Sequence, residues 1–156
     1  HVLFSYHGLP EMHLTKADPT GNHCLKRDDC CQVASPAHAS CYRHQVFKTT
    51  EKFVEKAGLS PQQYSVAFQS RLGRAKWLEP STVDTLEELA KNGVRKLLVM
   101  CPAFVTDCLE TLEEIELQGA EQFKQAGGES LTLIPCLNDD EQWVSVISRW
   151  CEEYPS

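Results

Sequence analysis

Asp107, Glu110 and Glu114 are spaced three and four residues apart, which stacks carboxylates on one face of a helix. Acidic side chains near a helix N-terminus are favoured by the helix dipole with no further role. A ladder of hard oxygen ligands can also pass a hydrated divalent cation inward and take up protons. His7, in Tyr6-His7-Gly8-Leu9-Pro10, is a chemical complement to them. A neutral imidazole can accept a proton from a nitrogen heterocycle or hold a metal transiently, although a lone His beside Gly-Leu-Pro also serves as an ordinary packing or capping residue.

Cysteine supplies the second cluster. Of eight cysteines, Cys24, Cys30, Cys31 and Cys41 fall in one polar stretch, while Cys101, Cys108, Cys136 and Cys151 are dispersed through regular elements as small apolar residues are. A reducing cytoplasm disfavours disulfides, and a sizeable α/β core does not require them. The gaps of five, none and nine residues do not match the paired spacing usual for zinc. Irregularly spaced thiolates are compatible with a [2Fe–2S] cluster. Nearby His23, His38 and His44 keep zinc open, and reduced, unligated thiols are a third alternative.

The elements that must position these groups alternate. Val2–Tyr6, Tyr64–Phe68, Lys96–Cys101 and Leu131–Ile134 read as strands. Helical spacing runs from Pro36 to about Ala57, with Val46, Phe47, Phe53, Val54 and Ala57 as apolar positions and Gly58 as the stop. Ser81 or Thr82 caps a helix through Asn92 with Val83, Leu86, Leu89 and Ala90 inward. Further helices are expected from about Leu109 to Ala126 and from Asp139 to about Glu153, the last with Trp143, Val146, Ile147 and Trp150 inward. Glu11 to about Ser35 shows no period. The near-continuous apolar run Leu97-Leu98-Val99-Met100 predicts a strand covered on both faces.

This βαβαβαβα order predicts an α/β fold: a three-layer, Rossmann-like arrangement with a four-stranded parallel sheet flanked by helices, which the resemblance given below makes a chelatase-like half. Ligands then sit beyond the carboxyl ends of the strands, at His7–Pro10, Gln69–Trp77, Pro102–Glu114 and Cys136–Asn138. The 156 residues suit one domain, with 42% hydrophobic and 24% charged residues. A net charge of −7 excludes a nucleic-acid binder. No apolar run is long enough to span a bilayer, and a cytoplasmic location is expected. An apolar strand at the first residues, without Met, suggests a piece of something longer.

Taken together, Val2-Leu3-Phe4-Ser5-Tyr6-His7-Gly8-Leu9-Pro10, Phe68-Gln69-Ser70-Arg71-Leu72-Gly73 with Trp77-Leu78, Pro102-Ala103-Phe104, Asp107 to Glu114 and Asn138 resemble the ferrochelatase family in order over almost the whole chain. The resemblance implies a lyase that inserts ferrous iron into a porphyrin, protoporphyrin IX or coproporphyrin III, in heme biosynthesis. It implies His7 as the base or metal ligand and Glu110 as the proton and metal relay across the macrocycle. Asp107 and Glu114 would extend the metal path, Gln69, Ser70, Arg71 and Trp77 would line the porphyrin cleft, and Phe104 would touch the ring. Some members carry a [2Fe–2S] centre, and those with cysteines inserted after the histidine segment look like this chain. This implies Cys24, Cys30, Cys31 and Cys41 as ligands, with zinc as the alternative and Fe(II) as substrate. The role of such a cluster would be structural or sensory, because inserting Fe(II) needs no electron transfer.

Cys108 stands where many relatives have His, which puts a relay role there in doubt. Family chains are about twice this length, with two similar α/β halves enclosing the cleft. Residues 1–156 therefore read as the C-terminal domain, with a cysteine-rich insertion at about 17–45 and the N-terminal half absent, folded yet inactive alone. The expected partners are the porphyrin and the missing half, with a homodimer through the exposed face and peripheral membrane association left open. The alternatives are a cobalt or nickel class II chelatase, a non-catalytic iron–sulfur or zinc sensor on the same fold, and a plain α/β domain with reduced cysteines.

Overall fold

The computed structural model describes residues 1–154. Four parallel strands, β1 (Val2–His7), β2 (Tyr64–Gln69), β3 (Lys96–Met100) and β4 (Ser130–Leu133), form a sheet in the order β2-β1-β3-β4. Successive strand residues point to opposite faces, so Leu3 and Ala67 enter one core while Phe4 and Phe68 enter the other. The first core lies under α3 (Thr82–Lys91) and the helical run that follows β3. The second is closed by α1 (Glu11–Ala17), the cysteine-rich loop and α2 (Tyr42–Ala57). The fold is thus the expected four-stranded parallel sheet flanked by helices.

Several local expectations need correction. The stretch after Pro10 contains α1, which has only one buried residue, Leu14, so its seven residues carry no apolar period to read. Irregular chain then runs from Asp18 to Cys41, broken by a 3-10 turn at Pro36–Ala39 that separates it from α2. In α3 the inward positions are Thr82, Thr85, Leu86 and Ala90, while Val83 is exposed. In α2 it is Val46 and Thr50 that are buried, and Phe53 lies at the rim, edge-on to Phe4.

The helix expected over Leu109–Ala126 is a composite. A short α4 (Leu109–Thr111) passes into a π-helical segment, Leu112–Gly119, and then into α5 (Ala120–Gln125). Thr111, Ile115, Gly119 and Phe123 are its buried positions, spaced by four, a longer period than the 3.6 of an α-helix. Such wide turns are frequent at functional sites.

The last helix, α6 (Glu141–Glu153), departs furthest from expectation, because none of its residues is buried. Trp150 is 51% exposed, and its edge-on partner Trp143 is only half-buried. The sheet face that carries Phe4 is covered over β1 and β2 but open at Leu98, so on that side β3 is covered only at its Met100 end. Among the described residues no helix is long and apolar enough to cross a membrane.

Candidate active site

Strand order decides which predicted groups meet. The chain steps from β1 to β2 on one side, then returns past β1 to β3. In open parallel sheets the crevice for a ligand lies at such a reversal, beyond the strand ends. Here that position is between the ends of β1 and β3, where His7 and the segment Pro102–Glu114 emerge. The His7 and Phe104 rings lie 6.1 Å apart by centroid.

His7 Nδ1 is 2.6 Å from the Gly8 carbonyl oxygen. A carbonyl only accepts, so Nδ1 carries the proton and the neutral ring has its lone pair on Nε2. The His7 carbonyl accepts from the Tyr42 hydroxyl at 2.8 Å. Gly8 lets this turn approach β2: its N–H donates to Gln69 O at 2.8 Å, and an added Cβ would sit 2.9 Å from that oxygen and 3.2 Å from the Trp77 ring.

Glu110 opens the composite helix, and its carboxyl is held below the usual range, first by the Cys108 thiol, then by its own backbone N–H, with His7 contributing charge attraction. Asp107 precedes the capping residue Cys108, so it does not stand on the helix with Glu110 and Glu114, and the three-rung ladder is corrected to two. Asp107 is a clamp: it accepts from Asn138 Nδ2 at 2.7 Å, from Thr111 Oγ1 at 3.1 Å and from Cys136 N–H at 3.3 Å. These bonds, Asn138 foremost, depress its pKa.

Glu114 is equally engaged. Its oxygens accept from Ser70 N–H at 2.7 Å and Ser70 Oγ at 2.5 Å, with Gln69 Nε2 at 3.4 Å. Ser70 adopts φ +64, and Asn138 φ +48, left-handed conformations that a non-glycine residue holds only when its surroundings impose them. Gln69 is a buried crosslink: Nε2 donates to Glu110 O at 2.6 Å while Oε1 accepts from Ser5 Oγ at 2.6 Å.

Gln69, Ser70, Arg71, Glu110 and Glu114 share the wall of a cleft of about 740 Å³ between β2, α3 and the π-helical segment. His7, Trp77 and Phe104 lie outside that wall. Arg71 is drawn to Leu78 O and Glu79, and Trp77 Nε1 donates to Leu72 O. Sequence reasoning passed over the exposed apolar residues of these loops: Leu72, Val105, Leu109, Leu112 and Leu137. Their signal was available, since apolar side chains just beyond strand ends have no core to enter.

The cysteine-rich loop buries its four thiols. Cys24, Cys30, Cys31 and Cys41 are all buried, and the Cys31 and Cys24 thiols approach Cys41 as donors, lowering its pKa to about 5 with help from the Arg43 and His44 amides. Burial pushes the Cys24 thiol up to about 12. Arg43 Nη1 lies 3.6 Å from Cys30 Sγ and 3.7 Å from Cys31 Sγ. Asp18 organises the loop, accepting from the N–H groups of Thr20, His23 and Cys24.

One ring nitrogen of each nearby histidine is engaged by backbone: His23 and His38 at Cys30 O, His44 at Cys31 O. Among the described residues no group of three or more His, Cys, Asp or Glu is arranged around a single metal ion. Cys24, Cys30, Cys31 and Cys41 are buried thiols in one loop, with Arg43 beside two of them, and thiolates are the donor type that an iron–sulfur cluster takes.

Residues 1–154 match the family model described as Ferrochelatase. Curated ferrochelatases of Pseudomonas fluorescens (strain Pf0-1) and Ectopseudomonas mendocina (strain ymp) are 62% and 63% identical over 156 residues, covering 99% of this chain and 46% of each relative. The chain spans about half the length of the curated relatives it matches. The solved structure of a CbiX protein of cobalamin (vitamin B12) biosynthesis from Marinobacter aquaeolei VT8 aligns with a TM-score of 0.49 and 16% identity over 98% of this chain and 92% of that one.

Proposed function

Because the chain belongs to the ferrochelatase family, we propose that it forms the C-terminal half of an enzyme inserting Fe(II) into a porphyrin in heme biosynthesis. The observation that carries this reading is that β1, which ends at His7 with its Nε2 lone pair free, lies beside β3, which leads into the segment bearing the ionised Glu110 carboxylate. Metalation exchanges two pyrrole protons for one Fe(II). His7 Nε2 accepts a proton or holds the incoming metal, and Glu110 relays protons and cation on the other side.

Asp107 and Glu114 keep the acidic path in shape through their hydrogen bonds and add negative potential along it. Leu72, Val105, Leu109, Leu112 and Leu137, with Phe104, offer apolar surface to a flat macrocycle, and Ser70, Arg71 and Trp77 border it. Gln69 acts from beneath, through Glu110.

Cys24, Cys30, Cys31 and Cys41 would hold a [2Fe–2S] cluster, which would supply a covalent brace to the irregular segment between α1 and α2. The N-terminal half of a relative-length chain would cover the open sheet face at Leu98 and the apolar stripe of α6, since relatives are about twice as long and these surfaces have no partner among the described residues. The half alone is inactive on this reading, because one wall of the cleft is absent.

The test is metal insertion by the full-length protein, followed by loss of porphyrin fluorescence. His7→Ala and Glu110→Gln are expected to slow it by about 100-fold or more while porphyrin still binds. Undiminished turnover in either variant overturns the assignment. For the cluster, anaerobically purified protein should contain two iron and two acid-labile sulfide per chain. Zinc without sulfide would replace the cluster by a zinc site.

A further inference from the structure

We propose that Tyr42 is a positioning residue that couples the cysteine cluster to the reaction centre. It follows Cys41 directly and opens α2, so its backbone moves with a residue of the thiol set. Its hydroxyl donates to the His7 backbone carbonyl at 2.8 Å, 35 residues away in sequence. The His7 ring is locked to Gly8 O, one residue further on, so the Tyr42 bond holds the same turn that orients Nε2. Tyr42 packs against the second core, which fixes the direction of its ring toward His7.

The anchor on the other side is equally specific. Cys41 lies against Cys31 and Cys24, and Arg43, the residue after Tyr42, reaches Cys30 and Cys31. Tyr42 therefore sits between two residues tied to the thiol cluster, with its side chain directed away from it to His7. Between Asp18 and Cys41 the only regular element is the 3-10 turn, so the cysteine contacts add to the core packing of Val46 and Tyr42 in setting the position of α2's first turn. A cluster bound there would hold that turn, and Tyr42 would transmit its position to His7 by one hydrogen bond.

This inference rests on the cluster and chelatase readings, and a double-mutant cycle in the full-length protein separates the three. The variants are Tyr42→Phe, Cys31→Ser and both together, measured by iron and sulfide content, by kcat and KM for porphyrin, and by the ¹⁵N chemical shifts of the His7 ring. Tyr42→Phe should keep iron and sulfide, lower kcat about tenfold with KM unchanged, and move the His7 resonances. Cys31→Ser should lose the cluster and move the same resonances in the wild-type background, but add little in the Tyr42→Phe background. Additive effects, an unmoved His7 resonance in both single variants, or loss of the cluster from Tyr42→Phe would each overturn the coupling. A wild-type protein without iron and sulfide defeats the cluster reading and this inference with it. A wild-type protein with the cluster but no metal insertion defeats the chelatase reading, while the resonances still decide the link.

Discussion

The Gln69 side-chain amide donates to the Glu110 backbone carbonyl at 2.6 Å, tying the end of β2 to the first turn of the composite helix. Its other end accepts from Ser5 Oγ, which in turn contacts Thr82 Oγ1 at 2.8 Å, so one buried network spans β1, β2, α3 and the Glu110 segment. Replacing Gln69 by Met takes its side-chain partner from the Glu110 carbonyl and leaves the Ser5 hydroxyl with Thr82 Oγ1 alone. A buried unsatisfied group costs about 1–3 kcal/mol, and a drop of that size in urea-unfolding free energy is expected. In the full-length protein kcat should fall as well, because Glu110 loses its backbone anchor. Unchanged stability would mean that the network is not what holds this turn.

Gly8→Ala tests the close approach of the β1 turn to β2. Its Cβ would meet Gln69 O at 2.9 Å and the Trp77 ring at 3.2 Å, and neither the backbone oxygen nor the packed ring can yield freely. Overpacking of this kind costs about 1–3 kcal/mol. Thermal unfolding should drop by several degrees, on a scale of roughly 2–4 °C per kcal/mol for chains of this size. Trp77 fluorescence should shift, since the ring must move.

Asp18 gives a pH dependence with a defined sign. The Cys24 amide, foremost among its donors, holds its carboxyl well below the usual carboxylate range in the folded protein. Its stabilisation is present above the unfolded pKa of about 3.9 and is lost as pH falls through that value toward the folded one. Asp18→Asn should therefore be less stable at pH 7 and should lose less stability than wild type between about pH 5 and pH 3. Urea midpoints measured across that range check both parts.

The proposed N-terminal half makes a prediction about the α6 stripe. Trp150 is 51% exposed in residues 1–154, so acrylamide should quench it readily in the 156-residue chain. In the full-length protein it should be shielded and its emission blue-shifted. Equal quenching in both would remove α6 from the contact between halves. Trp150→Ser should leave the short chain within about 0.5 kcal/mol of its original stability, while weakening the association of separately expressed halves.

Periodicity along the chain was sufficient for the α/β alternation and for the four strands to within one residue at each end. These are local properties, set by which side chains alternate or recur and where Gly and Pro stop them. The burial of Cys24, Cys30, Cys31 and Cys41, by contrast, could not be read from the polar, aperiodic stretch that holds them. Strand order is hidden too, because β2-β1-β3-β4 is a choice among pairings that leaves each strand's own pattern unchanged. It alone puts His7 beside Phe104 and near Glu110. The hydrogen-bond partners were equally hidden: Asp107 meets Asn138, Glu114 meets Ser70, and Tyr42 meets His7, each across 31 to 44 residues. A polar side chain's type says that it needs a partner, while only the packed sheet and its crossovers bring one within reach.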